Sequence, residues 1–311
     1  MIRESKFNFN LTVEPNALVC PNPTEWYHKA YLVEEDKESY RLIPGVKNET
    51  KIATSIFDDL TQPANCGWIG TDVELNAKDI KVDTLAARVQ ICQFDVEDSF
   101  ASLDMAKGVH NWQVNDFMAH FWNTFSLKLQ DEIANMRWRG DKTLPSGFLK
   151  NTDGYEKKFA ADPDVLKPVL AVPITEANVL TELKAGLSAL PLAVKQKKED
   201  LRIYMSPQVA LEYKSKTAGA NVINYLTKEL DFTYLGIKII EVPMADDAFV
   251  ITRKDNMIYA FDGQNDSKDL KIVDMLNTTV EPYLRALTFY RVGFDYVNPE
   301  EIYYYSSITG S

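Results

Sequence analysis

An apolar stripe with helical spacing constrains the fold of this chain more than any other feature. Eight apolar residues recur three or four positions apart: Val114, Phe117, Met118, Phe121, Phe125, Leu129, Ile133 and Met136. Side chains with this spacing share one face of an α-helix. The sequence therefore predicts a helix from about Asn115 to Arg137, roughly 35 Å long at ~1.5 Å per residue. Gly140 is placed to end it. A helix of this length is suited to a structural spine.

Two strand patterns separated by turn residues precede the helix. Residues 52–60 give the first pattern, and alternation resumes at Val73-Glu74-Leu75. Proline, asparagine and glycine residues between them are typical of turns. We predict a long β-hairpin with its tip between Gln62 and Gly70. A return strand from Ala86 to Phe94 would then lead into the body of the protein.

The first 45 residues lack a regular pattern. Pro15, Pro21 and Pro23 interrupt them, and the charged run Glu34-Glu35-Asp36-Lys37-Glu38 follows. Prolines at this spacing prevent a regular helix or a central strand. Because such a segment cannot bury enough apolar surface by itself, we expect an extended arm that lies against another surface.

Helix and strand patterns alternate in the second half of the chain. Thr175 is the predicted cap of a helix whose inward face carries four residues: Val179, Leu183, Leu187 and Leu190. A buried strand is expected at Leu201–Met205, and Ser206-Pro207 predicts the start of the next helix. Further strands are expected at residues 237–242, 249–252 and 257–260. This half is predicted to be α/β with a mixed sheet.

The C-terminal segment predicts a long aromatic strand. Tyr290, Val292, Phe294 and Tyr296 alternate along it and share one face. After a break at Asn298-Pro299, a second aromatic run follows at residues 302–305. Such a strand has to pair with a sheet begun earlier in the chain.

Composition and charge argue against several classes of protein. The 311 residues carry 34 basic and 45 acidic side chains, a formal net charge of −11 that opposes general binding to phosphate backbones or anionic lipid. Cys20, Cys66 and Cys92 form no C-x-x-C pair, so neither a zinc site nor a disulfide framework is indicated. No signal peptide and no run of the ~18 apolar residues needed for a membrane span is visible. Folding in a cytoplasm is expected.

No catalytic, cofactor-binding or metal-ligating residue is predicted. Three histidines lie too far apart for a helix-borne metal pair: His28, His110 and His120. Asp58-Asp59 and Asp246-Asp247 imitate paired catalytic carboxylates, but both lie in turn-like contexts, which favours exposed turn aspartates. Arg139-Gly140-Asp141 spells a cell-adhesion tripeptide, and we interpret it as the stop of the helix. The glycine-rich nucleotide motifs and the G-x-S-x-G motif do not occur.

Four groups of motifs follow one another in a fixed order. They are Cys66-Gly67-Trp68-Ile69 before residues 89–100, Trp138-Arg139-Gly140-Asp141 with Gly147-Phe148-Leu149, Ile203-Tyr204-Met205-Ser206-Pro207 before Tyr213, and residues 236–243 before 250–252 and Asn256-Met257. In this order, over roughly Lys51 to Tyr305, the chain resembles the major capsid proteins of tailed bacteriophages, which have the Hong Kong 97-type shell fold. Lys51 and Lys78 lie in the hairpin region but match no cross-linking motif of that family.

The resemblance implies an α+β fold with four parts. Residues 1–45 would form an N-terminal arm, and residues 46–88 an extended loop made by the hairpin. Residues 89–165 and 283–311 would form a peripheral domain with the spine helix. Residues 166–282 would form an axial domain.

The resemblance also implies a structural protein without a cofactor, and not an enzyme. Copies of the chain would assemble through pentamers and hexamers into the icosahedral shell of a phage virion, built in the host cytoplasm. The shell would enclose DNA without binding specific sequences, and the protein would not associate with a membrane. The resemblance leaves open whether scaffold, portal and decoration proteins are further partners. Two alternatives also stay open: an encapsulin-like nanocompartment shell, and, from a different class, a soluble acidic enzyme or carbohydrate-binding protein.

Overall fold

A computed structural model describes residues 17–18, 38–57, 73–92, 114–218, 232–262, 271–275, 279, 281 and 283–307. The strands are β1 (Ala17–Leu18), β2 (Arg41–Pro44), β3 (Glu49–Phe57), β4 (Val73–Lys81), β5 (Asp83–Cys92), β6 (Leu201–Met205), β7 (Thr233–Tyr234), β8 (Ile237–Glu241), β9 (Ala248–Arg253), β10 (Met257–Asp262), β11 (Lys271–Asp274), β12 (Tyr283–Tyr296) and β13 (Tyr303–Ser306). The α-helices are α1 (Val114–Arg139), α2 (Tyr155–Ala161), α3 (Val179–Ala189), α4 (Leu192–Gln196) and α5 (Pro207–Ala218).

The chain divides into two compact units. The first unit takes residues 1–34, 84–133 and 261–292, and the second takes residues 35–83, 134–260 and 293–311. Each unit is therefore built from segments that are far apart in the sequence.

The long helix forms where the apolar spacing predicts it. α1 has 26 residues, which corresponds to about 39 Å. On the predicted stripe, Leu129, Ile133 and Met136 are at most 3% exposed. Phe121 and Phe125 are half-buried and stack on each other with ring centres 5.9 Å apart. The stripe is confirmed from Phe121 to Met136, and its most buried part lies in the C-terminal half of the helix. The side chains of Val114, Phe117 and Met118 lie outside the described part of the chain.

The first unit contains an antiparallel sheet around the N-terminal part of β12. β11 pairs with β12 from Lys271↔Leu287 to Asp274↔Leu284, and β1 pairs with the other edge of β11. β5 also pairs with β12. Along β5, exposed and half-buried residues alternate, which places Val89 and Ile91 on one face. The predicted return strand is present, but it begins at Asp83, and Gln93 and Phe94 lie outside the described residues.

The second unit contains a five-stranded sheet with the order β13-β9-β6-β8-β7. β6 and β8 are parallel, from Arg202↔Lys238 to Met205↔Glu241, and the other neighbours are antiparallel. The predicted mixed sheet is confirmed. Residues from α3, α5 and these strands form one apolar core, which includes Val179, Leu183, Ile203, Val209, Ile239 and Ile251. β6 lies in the middle of the sheet, which explains its almost unbroken run of buried residues.

Of the two predicted helix caps, Ser206 is confirmed and Thr175 is wrong. Ser206 caps α5 as predicted, because its Oγ accepts a hydrogen bond from the Val209 N–H at 3.2 Å. Thr175 is not the cap of α3, since the helix begins three residues later than predicted. Asn178 Oδ1 instead accepts the N–H of Thr175 at 2.7 Å, and the Thr175 carbonyl accepts the N–H groups of Asn178 and Val179. A separate turn therefore precedes the helix.

α1 ends at Arg139 because two glycines bring the backbone close to itself. The Gly154 N–H donates to the Gly140 carbonyl at 2.9 Å. A Cβ atom on Gly154 would lie 2.6 Å from the Trp138 carbonyl oxygen and 2.7 Å from that of Met136. The predicted helix stop at Gly140 is confirmed, and its physical requirement is space for the returning chain.

Replacing Gly154 with alanine is expected to lower the free energy of unfolding by about 1–3 kcal/mol, because backbone atoms have to move apart. Denaturant unfolding of the unassembled subunit measures the effect. Gly140→Ala disturbs the same contact, so the double variant should lose less stability than the sum of the two single variants. Full additivity would show that the two glycines act independently.

Candidate assembly site

The predicted hairpin is present as a long two-stranded ribbon. β3 and β4 are antiparallel and pair residue by residue from Glu49↔Lys81 at the base to Phe57↔Val73 at the far end. Nine residues per strand correspond to about 30 Å at ~3.4 Å per residue. The predicted tip, Gln62 to Gly70, lies outside the described residues.

Among the strands that the structure describes, none covers the outer edge of β3 or of β4. Within the described ranges, β3 and β4 pair only with each other. A two-stranded hairpin is at best marginally stable alone in water. An open edge also presents backbone N–H and C=O groups that can pair with another strand. The ribbon is therefore suited to lie against a second protein surface.

The base of the hairpin is buried in the second unit. Ile80 is fully buried and packs with Val46, Ile258 and Ala260. The Val82 N–H donates to the Asn48 carbonyl at 2.9 Å and closes the base of the ribbon. The hairpin is thus anchored through its first residue pairs.

A buried carboxylate fixes the same base by ionic contacts. Lys78 Nζ lies 3.0 Å from Asp295 Oδ1, and Lys158 Nζ lies 2.8 Å from Asp295 Oδ2. The Asp295 side chain is only 10% exposed. The Lys78 ammonium also lies 3.5 Å from the centre of the Tyr296 ring. Because both oxygens of Asp295 have a cationic partner, its burial is compensated.

The small size of Gly293 lets the hairpin base approach β12. A Cβ atom at Gly293 would lie 2.3 Å from the Lys81 carbonyl oxygen. Gly293 and Asp295 alternate with Phe294, and all three are buried. The end of β12 is therefore covered on both faces, and Gly293 and Asp295 form the face that meets the hairpin.

Replacing Lys78 with methionine is expected to lower the free energy of unfolding by about 1–2 kcal/mol, since Asp295 loses one of two cationic partners at a site shielded from water. Lys51→Met is the matched control in the same hairpin. Its partner contact, to Asp79, joins side chains that are 69% and 47% exposed, and such pairs contribute about 0–1 kcal/mol. Urea unfolding of both variants checks this. Equal losses would show that the Lys78 contact is no stronger than a surface pair.

An aromatic cluster holds the end of the N-terminal segment to the second unit. Trp138 Nε1 donates to the Tyr40 hydroxyl at 3.0 Å, and the Tyr204 hydroxyl donates to the Ser39 carbonyl. The Tyr40 ring stacks on Tyr155 and Tyr204 with centres 6.1 and 5.6 Å apart. The W-x-G-D motif thus contributes its tryptophan to the point where several distant segments meet.

A second buried carboxylate joins α2 to the turn before β9. Both Glu156 oxygens lie 3.2 Å from the Ala245 nitrogen, which donates to them. Burial raises the pKa of Glu156 from 4.5 to about 7, against the opposing effects of the Ala245 hydrogen bond and the Arg139 charge. The contact is therefore sensitive to pH in the physiological range.

The residues considered for catalysis are not brought together among the described residues. His28, His110 and Asp58-Asp59 lie outside them. Asp246-Asp247 forms the predicted turn, in which Asp247 has a φ of 60°. Across the described part of the chain, no three His, Cys, Asp or Glu side chains group as a metal site would require. No described helix is long and apolar enough to cross a membrane.

The anchoring roles of Asp295 and Glu156 were not predicted from the sequence. Asp295 stands between two aromatic residues of a predicted strand, and a carboxylate in such a position indicates a buried partner. The sequence alone gives no indication of which lysines provide it. Glu156 has no comparable signal, because it is followed by Lys157 and Lys158 in a short helix, where a charged side chain is usually exposed.

Comparisons with known proteins identify the fold. No family model matches the sequence, and no curated protein matches it. A structure titled satellite phage P4 procapsid including size determination protein matches with a TM-score of 0.60 and 11% identity, covering 91% of this chain and 97% of the other. The capsid of an empty GTA particle matches with a TM-score of 0.52 and 12% identity, covering 98% and 94%. A virus-like particle from Pyrococcus furiosus matches with a TM-score of 0.50 and 10% identity, covering 91% and 96%.

At identities of 10 to 12%, these matches concern the fold, and they extend over nearly the whole length of both chains. The long helix, the extended hairpin and the mixed sheet occur in the order that the motifs predicted. The chain has the α+β Hong Kong 97-type capsid fold.

Proposed function

We propose that this protein is a major capsid protein that assembles through pentamers and hexamers into an icosahedral shell around a phage genome. The observation that carries the proposal is the β3–β4 ribbon, which is anchored at its base and open along both edges in the described residues. The likeness in fold to subunits of a procapsid and a capsid supports it.

The assembly follows from the physical needs of the ribbon. A ribbon about 30 Å long, with no further strand paired to it in the described ranges, gains stability when a neighbouring copy covers it. Each copy of the chain carries both the ribbon and a different surface that receives the ribbon of a neighbouring copy. The contact between copies is therefore head-to-tail and repeats around a ring. Pentamers and hexamers can then form through the same contact, with small changes in the angle between neighbouring copies.

We also propose a structural role for each part of the chain. Residues 1–45 act as the arm and 46–88 as the extended loop. Residues 89–165 with 283–311 form the peripheral domain, and 166–282 the axial domain. The shell encloses DNA without binding it site by site, since the net charge of −11 opposes contact with phosphate. The protein is structural, without catalysis, and lies in the virion; scaffold, portal and decoration proteins are additional partners in this proposal.

A nanocompartment shell is the second candidate. The likeness to the virus-like particle from Pyrococcus furiosus favours it. Both candidates require the same kind of closed particle, so they differ only in what the particle contains.

Sedimentation and light scattering of the purified protein test the proposal. We expect particles far heavier than the 35.4 kDa chain, with nuclease-protected DNA inside particles isolated from infected cells. Protected protein cargo in place of DNA would favour the nanocompartment. A monomer at all concentrations, also with a cognate scaffold added, would contradict both shells and favour the enzyme or carbohydrate-binding alternative.

A further inference from the structure

The turn between β7 and β8 has an unusual residue at its tip. Leu235 and Gly236 join the two strands with φ angles of 51° and 84°. A two-residue turn with both angles positive favours Asn-Gly, because a bulky side chain is strained in the left-handed region. Leu235 is also 66% exposed, so contacts within its own unit do not offset the strain. Backbone strain that packing does not offset is concentrated at functional sites.

A second apolar projection lies in the segment before α3. Val169 and Leu170 are 107% and 80% exposed. They lie between Pro168 and Pro173, which restrict the backbone of the segment. The two projecting side chains therefore lie between two prolines whose own φ angles are fixed.

Both ends of this segment are tied to β13. Leu166 forms a bridge with Tyr303, and the Leu166 carbonyl accepts the Tyr304 N–H at 2.9 Å. Further along, the Val172 N–H donates to the Tyr305 hydroxyl at 3.0 Å, and that hydroxyl lies 2.7 Å from the Val172 carbonyl. The apolar projection is thus fixed at the β13 edge of the sheet.

The two projections lie at opposite edges of one sheet. β7 is the last strand at one edge of the five-stranded sheet, and β13 is the last strand at the other. Four strand spacings of ~4.8 Å separate the edges by about 19 Å. A head-to-tail contact between identical copies needs two different surfaces on opposite sides of the chain. An exposed apolar tip at each edge meets this requirement.

We propose that the Leu235 turn of one copy packs against Val169 and Leu170 of the next copy around a ring. The proposal rests on the proposed shell function and identifies two surfaces of its repeated contact. Single exposed leucines elsewhere, such as Leu211 on α5, need no such explanation. The two projections differ from them because Leu235 has a strained backbone and because the segment of Val169 and Leu170 is tied to β13 at both ends.

Cysteine pairing tests the contact. In the Leu235→Cys, Val169→Cys double variant, mild oxidation of assembled particles should give a ladder of linked copies on a non-reducing gel. Either single variant reports the background from the native cysteines. A Leu211→Cys, Val169→Cys variant is the matched control, since Leu211 is 60% exposed but lies on a helix. If assembled particles of the double variant give no more linked copies than these controls, the proposed contact is wrong.

A polar substitution gives an independent readout. Leu235→Asn should raise the midpoint of thermal unfolding of the unassembled subunit by about 2–5 °C, because asparagine is less strained there. The same variant should reduce the particle yield at least tenfold, whereas Leu211→Asn should leave the yield unchanged. A Leu235→Asn variant that assembles like the unchanged chain would overturn the proposal. An unchanged chain that forms no particles would overturn the shell function and this contact together.

Discussion

Replacing Trp138 with alanine is expected to lower the free energy of unfolding of the isolated subunit by about 3–5 kcal/mol. The indole is 1% exposed and lies within 5.1 and 5.3 Å, between ring centres, of Tyr155 and Tyr204. Its removal leaves a cavity and also removes the hydrogen bond to the Tyr40 hydroxyl. Urea unfolding followed by tyrosine fluorescence or circular dichroism measures the loss.

Leu127→Ala is the control for this variant. Leu127 lies on the same helix but is 56% exposed, so we expect a change within about 0.5 kcal/mol. A loss below 1 kcal/mol for Trp138→Ala would contradict the role of the aromatic cluster. It would mean that the W-x-G-D motif contributes little to joining the segments of the second unit.

Stability should fall as the pH rises from about 4.5 toward neutrality, because burial raises the pKa of Glu156. The folded-state pKa of about 7 exceeds the ordinary value of 4.5, so the folded chain binds the proton more tightly than the unfolded chain. The resulting stability is fully present below pH 4.5 and is lost between pH 4.5 and 7. At pH 8, the loss amounts to about 3 kcal/mol.

Glu156→Gln should remove this dependence. The amide keeps the shape and one acceptor for the Ala245 N–H, but it carries no charge. The variant should be about 3 kcal/mol more stable than the unchanged chain at pH 8 and nearly equal to it at pH 4.5. Glu176→Gln, at an exposed position, is the control and should leave the pH profile unchanged. Parallel pH profiles for Glu156→Gln and the unchanged chain would contradict the account.

Periodic features of the sequence predicted the parts of the fold that depend on one face of one element. Apolar residues at every third or fourth position predicted α1, and alternation predicted the buried face of β12. Both signals are local, because they report which side of an element meets the core. The hairpin was predicted in the same way, from two strand patterns and the turn residues between them.

Features that depend on contacts between distant segments were not predicted. The pairing of Lys78 with Asp295 joins a strand of the hairpin to the end of β12, and nothing in either local sequence specifies the other. The strain at Leu235 also became visible only from the backbone angle. The cap of α3 was placed too early because Thr175 and Asn178 both suit a cap, and only the hydrogen bonds separate them.

Electron microscopy of the purified, full-length protein, with a cognate scaffold supplied if one exists, tests the central claim most directly. We expect closed icosahedral shells with rings of five and six copies, in which the β3–β4 ribbon of each copy lies across its neighbour. Uniform single subunits at high protein concentration would contradict the claim, as would particles in which each ribbon folds back on its own chain.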